Sequence, residues 1–485
     1  MGTTTSSSAE PQTKPQPPIN LLRGWPNTSL LPAADLKTAS KTSLTDPTIS
    51  NPALEYGPDE GYQPLRHEVA QWLTSFYTPA TPITEDRICI SGGASQDLAC
   101  ILQVFTDPVY TRNIWLVAPV YHLVSRIFDD SGFAEKLRAA PEDEEGVDIG
   151  YLDGEMGRSE EQAIREGNSD SKLKPPRPWR KVYKHVIYAT PTFSNPSTKI
   201  MTTRRREQLV RLARKYDALI ISDDVYDHLQ WPISPSVGEY PKKAYVPRIV
   251  DVDRFLDGGP SDDFGNAVSN GSFSKIVGPG CRTGWAEGTP KFAYGLSQTY
   301  VTNLPPIRLK RQLTYPPTTP SGSSRSGGCP SQLVASFITQ LLSTSTLQTH
   351  INTTLQPSYA SRYHRTISAV RTHLLPLGVS LPSKQSSPPE LDIDMAGGYF
   401  VWLKLPEPLR AKEVAKRCLD EEEVIVAQGG IFEVKVDKGV EGGRNCFERF
   451  VRVCFAWESE DRLDEGIERM GRVVGRMIEE GGDKV

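Results

Sequence analysis

The sequence predicts an α/β protein. A large domain carries a mostly parallel sheet flanked by helices, and a smaller α+β domain forms from the N-terminal segment and the C-terminal third. Three observations lead there. The 485 residues exceed the usual size of one domain. From about 55 to 340, short apolar runs alternate with amphipathic stretches. The runs are apolar on both faces, the mark of buried parallel strands joined by helices.

In chain order, the strand candidates are RICIS (87–91), NIWLVAP (113–119), HVIYATP (185–191) and ALIISDD (218–224), each ending near Gly, Pro, Asp or Ser. RRREQLVRLARKYD (204–217) is a helix with Leu209, Leu212 and Ala213 on one stripe. In the last third, TISAVRTHLLPLG reads as helix, GGYFVWLKL (397–405) and RFVRVCFA (449–456) as strands, and RLDEGIERMGRVVGRMIEE (462–480) as a closing amphipathic helix. The expected layout is a disordered tail at 1–18, a segment at 19–54 that joins the small domain, a large domain at 55–340 and a small domain at 341–485. Residues 141–181, 232–265 and 314–330 are rich in Pro, Gly or charge and read as loops or insertions with solvated surfaces.

Composition narrows the function classes. The net charge is −4, which suggests no nucleic acid or anionic membrane partner. No apolar run approaches the ~20 residues that span a bilayer. The N-terminus has no apolar core for a secretory signal, so a cytoplasmic protein is expected. The seven cysteines lack C-x-x-C pairs and metal-ligand spacing, so buried thiols and no metal site are expected.

The chemistry concentrates in GSFSKIVGPGCRTGW (271–285). Lys275 sits among Ser272, Ser274 and Arg282, groups suited to holding a phosphate dianion beside a reactive amine. Fixed positive charge nearby depresses a lysine's pKa and makes it a usable nucleophile toward an aldehyde. In ISGGASQDLACILQVF (90–105), a strand enters a Gly-rich turn and then a helix with Leu98, Ile101, Leu102 and Phe105 on its inner face. The open N–H groups at that helix start form an anion site. In ALIISDDVYDHL (218–229), Asp223 ends an apolar strand, where a carboxylate points into the ligand crevice of such sheets. In RFVRVCFAW (449–457), both faces of the strand are apolar, so Arg452 is desolvated and needs an anionic partner, either a ligand or an internal carboxylate.

The pattern Ser-Phe-Ser-Lys-x6-Arg-x-Gly-Trp resembles the cofactor-lysine signature of the class I/II aminotransferases, which are pyridoxal-phosphate-dependent and of fold type I. Further short motifs recur in the family's order between about 19 and 480. The resemblance implies that Ala94 and Ser95 form the phosphate-binding turn, with Ser272, Ser274 and Arg282 completing it. It implies that Tyr121, in APVYHL, stacks on the pyridine ring. Asn195, in the Asn-Pro of TFSNPST, and Tyr226 then contact the phenolic oxygen. Where the family more often continues Thr-Gly, this chain has Ser197-Thr198. The family spacing of three before Tyr226 selects Asp223 over Asp224 as partner of the ring nitrogen. Arg452 would bind the substrate α-carboxylate, and Gly24 in RGWPNTSLLP would lie where backbone closes over substrate. Tyr56, in EYGPDEGYQPLR, would reach the phosphate of a neighbouring subunit, implying a homodimer. AGGYFVWLKL fits the family's Gly-Gly-x-Phe strand.

The implied reaction moves an amino group from an amino acid to a 2-oxo acid, with Lys275, Asp223 and Tyr226 carrying the chemistry. The alternative on the same residues is a carbon–sulfur lyase or an aminocyclopropane-carboxylate-synthase-like enzyme, since substrate leaving group and carbanion fate separate these and short motifs do not show them.

Overall fold

The structure is a computed structural model, and it describes residues 17–235, 240–298, 330–381, 394–434 and 445–482. The expected tail at 1–18 and the stretch 314–330 lie outside the described residues, save for their last one or two. Among the described residues, no helix is long and apolar enough to cross a membrane.

The centre is an eight-stranded sheet in the order Ile88–Ser91, Gly284–Glu287, Ala267–Ser272, Ala218–Asp223, His185–Ala189, Asn113–Ala118, Leu137–Asp143, Gly146–Val147. All four candidate strands of the sequence are in it. The neighbours from Ala267–Ser272 to Leu137–Asp143 run parallel, while Gly284–Glu287 runs antiparallel to both of its neighbours. Residues on both faces are buried, because helices cover each side; this is why the strands read as continuous apolar runs. The helix Ala94–Phe105 buries Leu98, Ile101, Leu102 and Phe105 on one face of the sheet, and the helix Thr203–Lys215 buries Leu209, Leu212 and Ala213 on the other. The Thr202 hydroxyl accepts from the Arg205 N–H at 3.1 Å and so caps the second helix.

A three-stranded antiparallel sheet, Phe400–Lys404, Phe450–Cys454 and Ala427–Gln428, shares a buried apolar cluster with the long helices Gln356–His373 and Glu460–Gly482. The N-terminal strand Ile19–Asn20 pairs in parallel with Val424–Ile425, which ties the chain's start to its last third. Met395–Gly397 pairs with Gln230–Pro232, so the two parts of the chain are also joined through main-chain hydrogen bonds.

Two stretches read as loops are partly helical. Residues Ile149–Arg165 form a helix that buries Leu152, Met156 and Ala163, with Asp148 accepting from the Tyr151 N–H at 3.0 Å. Its acidic run and its three glycines, Gly150, Gly154 and Gly157, mask this stripe in the sequence. The helix Ile249–Phe255 lies inside 232–265, and its charged flank is not solvated. Arg248 is fully buried, with Nε 2.9 Å from Asp251 and Nη1 2.6 Å from Glu287. Mutual neutralisation is what permits these charges inside. The cysteines match only in part: Cys89, Cys418 and Cys454 are buried, Cys446 is exposed, and no described cysteine forms a disulfide.

The Ser197-Thr198 turn closes although no glycine is present. The Thr198 N–H reaches Ser194 O at 2.7 Å, and Thr198 takes φ 65°. That left-handed conformation is unfavourable for a β-branched residue by about 1–2 kcal/mol. Thr198→Gly, after the entropy glycine adds to the unfolded chain, is therefore expected to stabilise the fold by about 1 kcal/mol. Urea unfolding checks it; an unchanged or lowered midpoint would contradict the strain.

Candidate active site

The carboxyl ends of the parallel strands open into one cavity of about 430 Å³. Such ends collect ligand-binding groups because each strand delivers its last side chain and the following turn to the same crevice. Gly24, Ala94, Ser95, Tyr121, Asn195, Asp223, Tyr226, Ser272, Ser274, Lys275, Arg282 and Arg452 all line it. These twelve expected residues come from seven separate stretches of chain, and folding brings them together.

Asp223 ends the strand Ala218–Asp223. The Tyr188 hydroxyl donates to its Oδ2 at 2.5 Å, while its Oδ1 is buried and has no hydrogen-bond partner among the described residues. An unpaired buried carboxylate oxygen is costly. Burial pushes the Asp223 carboxyl up to about 6, against the opposing Tyr188 hydrogen bond. The adjacent Asp224 differs. Its oxygens accept from Ser222 and Ser269, both at 2.5 Å, and it does not line the cavity.

Lys275 follows the strand Ala267–Ser272 in a single helical turn begun by Ser272, whose hydroxyl accepts from the Ser274 N–H at 3.1 Å. Lys275 Nζ donates to Gly24 O at 2.9 Å. Burial lowers its pKa to about 8, with Arg452 acting in the same direction. Gly24 is needed where it stands: a Cβ there would sit 2.9 Å from the Phe400 ring. The Tyr399 hydroxyl donates to Lys275 O at 3.0 Å and so fixes the backbone that carries the amine.

The other end of the cavity is built for an anion. Gly93, at φ 101°, precedes the helix Ala94–Phe105, and a Cβ on it would come within 3.1 Å of the Arg282 guanidinium. Ser272 and Ser274 hydroxyls lie 2.9 Å apart beside this helix start. Asn270 also lines the cavity, its Nδ2 donating to Ala94 O at 3.1 Å. It was not picked from the sequence, although its place two residues before Ser272 puts both on one strand face.

Arg452 is 2% exposed, yet among the described residues it makes no ion pair. An internal carboxylate partner, the competing reading, is therefore not found there. Its Nη1 donates to Asn195 Oδ1 at 2.8 Å and its Nη2 to Leu22 O at 2.6 Å, and the guanidinium lies 4.1 Å from the Phe400 ring centre. Neutral acceptors thus hold a full charge at the cavity wall, and burial lowers its pKa. His122 lines the same wall, and its pKa falls to about 4 through burial and the nearby Arg452. With Arg23, Lys275, Arg282 and Arg452 against Asp223 alone, the lining favours anions. Tyr56 does not reach this cavity; it is 83% exposed on the described chain. His122, Tyr188 and Tyr399 escaped the sequence reading because each sits in an apolar run and reads as core.

The raised Asp223 pKa has a signed consequence in the protein without a bound cofactor. The folded chain holds this proton more tightly than the unfolded one, so ionisation costs stability. The cost is absent below about pH 3.8 and fully present above about pH 6. That gap corresponds to about 3 kcal/mol at most. Asp223→Asn keeps an acceptor for Tyr188, so it is expected to be more stable than wild type at pH 8, with the difference closing near pH 4. Urea titrations at both pH values check this; equal stability at pH 8 would contradict the unsatisfied charge.

Comparison with known proteins agrees with this geometry. Residues 26–314 match the family model for aminotransferase class I and II. An uncharacterised protein of Saccharomyces cerevisiae is 32% identical over 471 residues, covering 94% of this chain and 96% of that protein. Aromatic-amino-acid aminotransferase 1 of Thermococcus litoralis is 25% identical over 461 residues, covering 94% and 88%. The solved structure of the Thermus thermophilus α-aminoadipate aminotransferase LysN, complexed with N-(5'-phosphopyridoxyl)-L-leucine, superposes with TM-score 0.65 at 22% identity, covering 95% of this chain and 93% of that one. A family model spanning more than half of the chain, over this cleft, settles the assignment: the protein belongs to the class I and II aminotransferases.

Proposed function

We propose that this aminotransferase uses pyridoxal phosphate joined to Lys275, and passes an amino group from an amino acid to a 2-oxo acid. The single observation that carries the reading is the pairing of a buried lysine, its amine pushed down to about 8, with a buried acid whose Oδ1 has no partner, in one cavity. The residues fit the group. Asp223 Oδ1 is the acceptor left for the ring nitrogen, and the Ser95, Ser272, Ser274 and Arg282 cradle suits a phosphate dianion. Ala94 would complete the turn, Tyr121 would hold the ring, and Tyr226 and the Asn195 amide would hold its phenolic oxygen; all four line the cavity. When bound, this group supplies a sink for the electrons left on loss of a Cα proton.

The chain's own residues do the rest. Arg452 binds the substrate α-carboxylate, which supplies the negative charge that no acid among the described residues provides. Lys275 Nζ would accept and return the substrate Cα proton, a task suited to a pKa near 8. Gly24 and the segment around it exclude water above the amine. The family assignment favours transfer over the lyase alternative.

We read the chain as a large body at 55–340 and a smaller one at 341–485 joined by 19–54, acting in the cytoplasm as a homodimer. The cavity wall supports the division, since Gly24, Phe400 and Arg452 face Asp223 and Lys275 across it. Support for the dimer is the exposure of Tyr56 beside Leu54, which is 67% exposed. An aromatic ring and a leucine turned outward together are the kind of surface a second copy covers.

Lys275→Ala is expected to lower transamination by about 10³-fold or more. Borohydride reduction of the wild-type protein with pyridoxal phosphate should leave one pyridoxyl tag, on the peptide carrying Lys275. A tag elsewhere, or glutamate formation from 2-oxoglutarate at wild-type rate in the variant, would reject the assignment. Pyruvate and ammonia released in place of glutamate would instead point to the lyase. For the dimer, Tyr56→Phe should weaken pyridoxal phosphate binding several-fold while light scattering still reports twice the chain mass; a monomeric wild type would reject it.

A further inference from the structure

We propose that Tyr188 is the positioning residue for Asp223: from the neighbouring strand it occupies Oδ2, and so leaves Oδ1 as the acceptor aimed at the cofactor. Four observations carry this. Tyr188 is 2% exposed and sits in the strand His185–Ala189, which pairs in parallel with Ala218–Asp223, so its ring is held by the sheet. Its hydroxyl donates to Asp223 Oδ2 at 2.5 Å. The other oxygen, Oδ1, is buried without a partner among the described residues. Tyr188 lines the cavity itself, and Phe128 packs edge-on to its ring at 5.9 Å, which restricts its rotation.

The physical need is plain. A terminal carboxylate turns easily about its last bond, and either oxygen could then face the ring nitrogen or neither. One hydrogen bond from a strand-held phenol removes that freedom. It also favours the ionised acid, the form that keeps a ring nitrogen protonated. Among the described residues, no cation makes a contact ion pair with Asp223. The titratable or charged groups around it are Asp224, which disfavours ionisation, Lys275, which favours it, and the phenols Tyr121 and Tyr226. Among the described residues, Tyr188 is the one side chain that donates to it directly. The bond therefore does for this acid what an outer-shell carboxylate does for a ligating histidine: it sets orientation and charge state without touching the reacting atoms.

The proposal rests on the function given above, but its test separates the two. In the full-length protein freed of cofactor, the infrared band of the protonated carboxyl that Asp223→Asn removes reports Asp223 directly. In Tyr188→Phe its titration midpoint is expected to rise by about one pH unit. With 3-fluorotyrosine at 188, a more acidic donor of nearly the same shape, it is expected to fall below wild type. A purely structural tyrosine would leave the midpoint insensitive to donor acidity. An unmoved midpoint in both variants overturns the proposal, and if Tyr188→Phe does not fold, the fluorotyrosine protein alone decides. Pyridoxal phosphate titration adds a second reading. Tyr188→Phe is expected to weaken binding about tenfold with Asp223 present and hardly at all in the Asp223→Asn background. Equal weakening in both backgrounds overturns it. Failure of the wild-type protein to bind pyridoxal phosphate would reject the assigned cofactor, while the infrared titration would still decide the role of Tyr188.

Discussion

A carboxylate buried at the end of a parallel strand, with one oxygen engaged and the other left open, is the constraint on which this cleft depends. Folding tolerates an unpaired buried acceptor only where surrounding structure over-determines it. Here the sheet does so. Asp223 is carried by a strand with neighbours on both sides, and the Tyr188 hydrogen bond comes from one of them. Asp224, one residue on, is satisfied by Ser222 and Ser269 and turns away from the cavity. Two adjacent acids thus have opposite fates, decided by the alternation of side chains across the end of a strand.

The same economy governs the cations. Lys275 and Arg452 are both buried at the cavity, and each spends its hydrogen bonds on neutral groups: Gly24 O for the lysine, and Asn195 Oδ1 and Leu22 O for the arginine. Elsewhere, the buried Arg248 is flanked by Asp251 and Glu287 and Arg205 is paired with Asp143 and Glu145, while the buried Arg206 donates to backbone carbonyls and the Thr192 hydroxyl. What sets Lys275 and Arg452 apart is that both line the cavity. A buried cation with an acid beside it stabilises the fold. One without leaves free energy to be recovered when an anion arrives, which is how a site binds a carboxylate or phosphate strongly.

Much of the cleft was legible because its groups break a pattern. Arg452 interrupts a strand apolar on both faces, Asp223 ends an apolar run, and Lys275 lies among hydroxyl and glycine residues that no core helix would need. The same logic hid the rest. Tyr188 and Tyr399 are aromatic residues in apolar runs, and nothing local distinguishes a phenol that donates to a buried group from one that fills space. The helix Ile149–Arg165 was hidden differently, since glycines and acids outnumber the residues of its buried stripe. Arg248 was read as surface because the acids that neutralise it include Glu287, distant in sequence.

By itself, the sequence determined four of the eight strands of the central sheet, the family pattern and most of the residue types at the cavity, because each rests on local periodicity or on fixed spacing along one stretch of chain. Tertiary structure alone decided that Gly24, Asp223, Lys275 and Arg452 share one cavity, that Arg452 lacks an acid among the described residues, and that Tyr188 engages only one oxygen of Asp223. Those facts depend on which groups meet across strands and between the two ends of the chain. Partners of that kind are set by packing and register, and no window of sequence contains them.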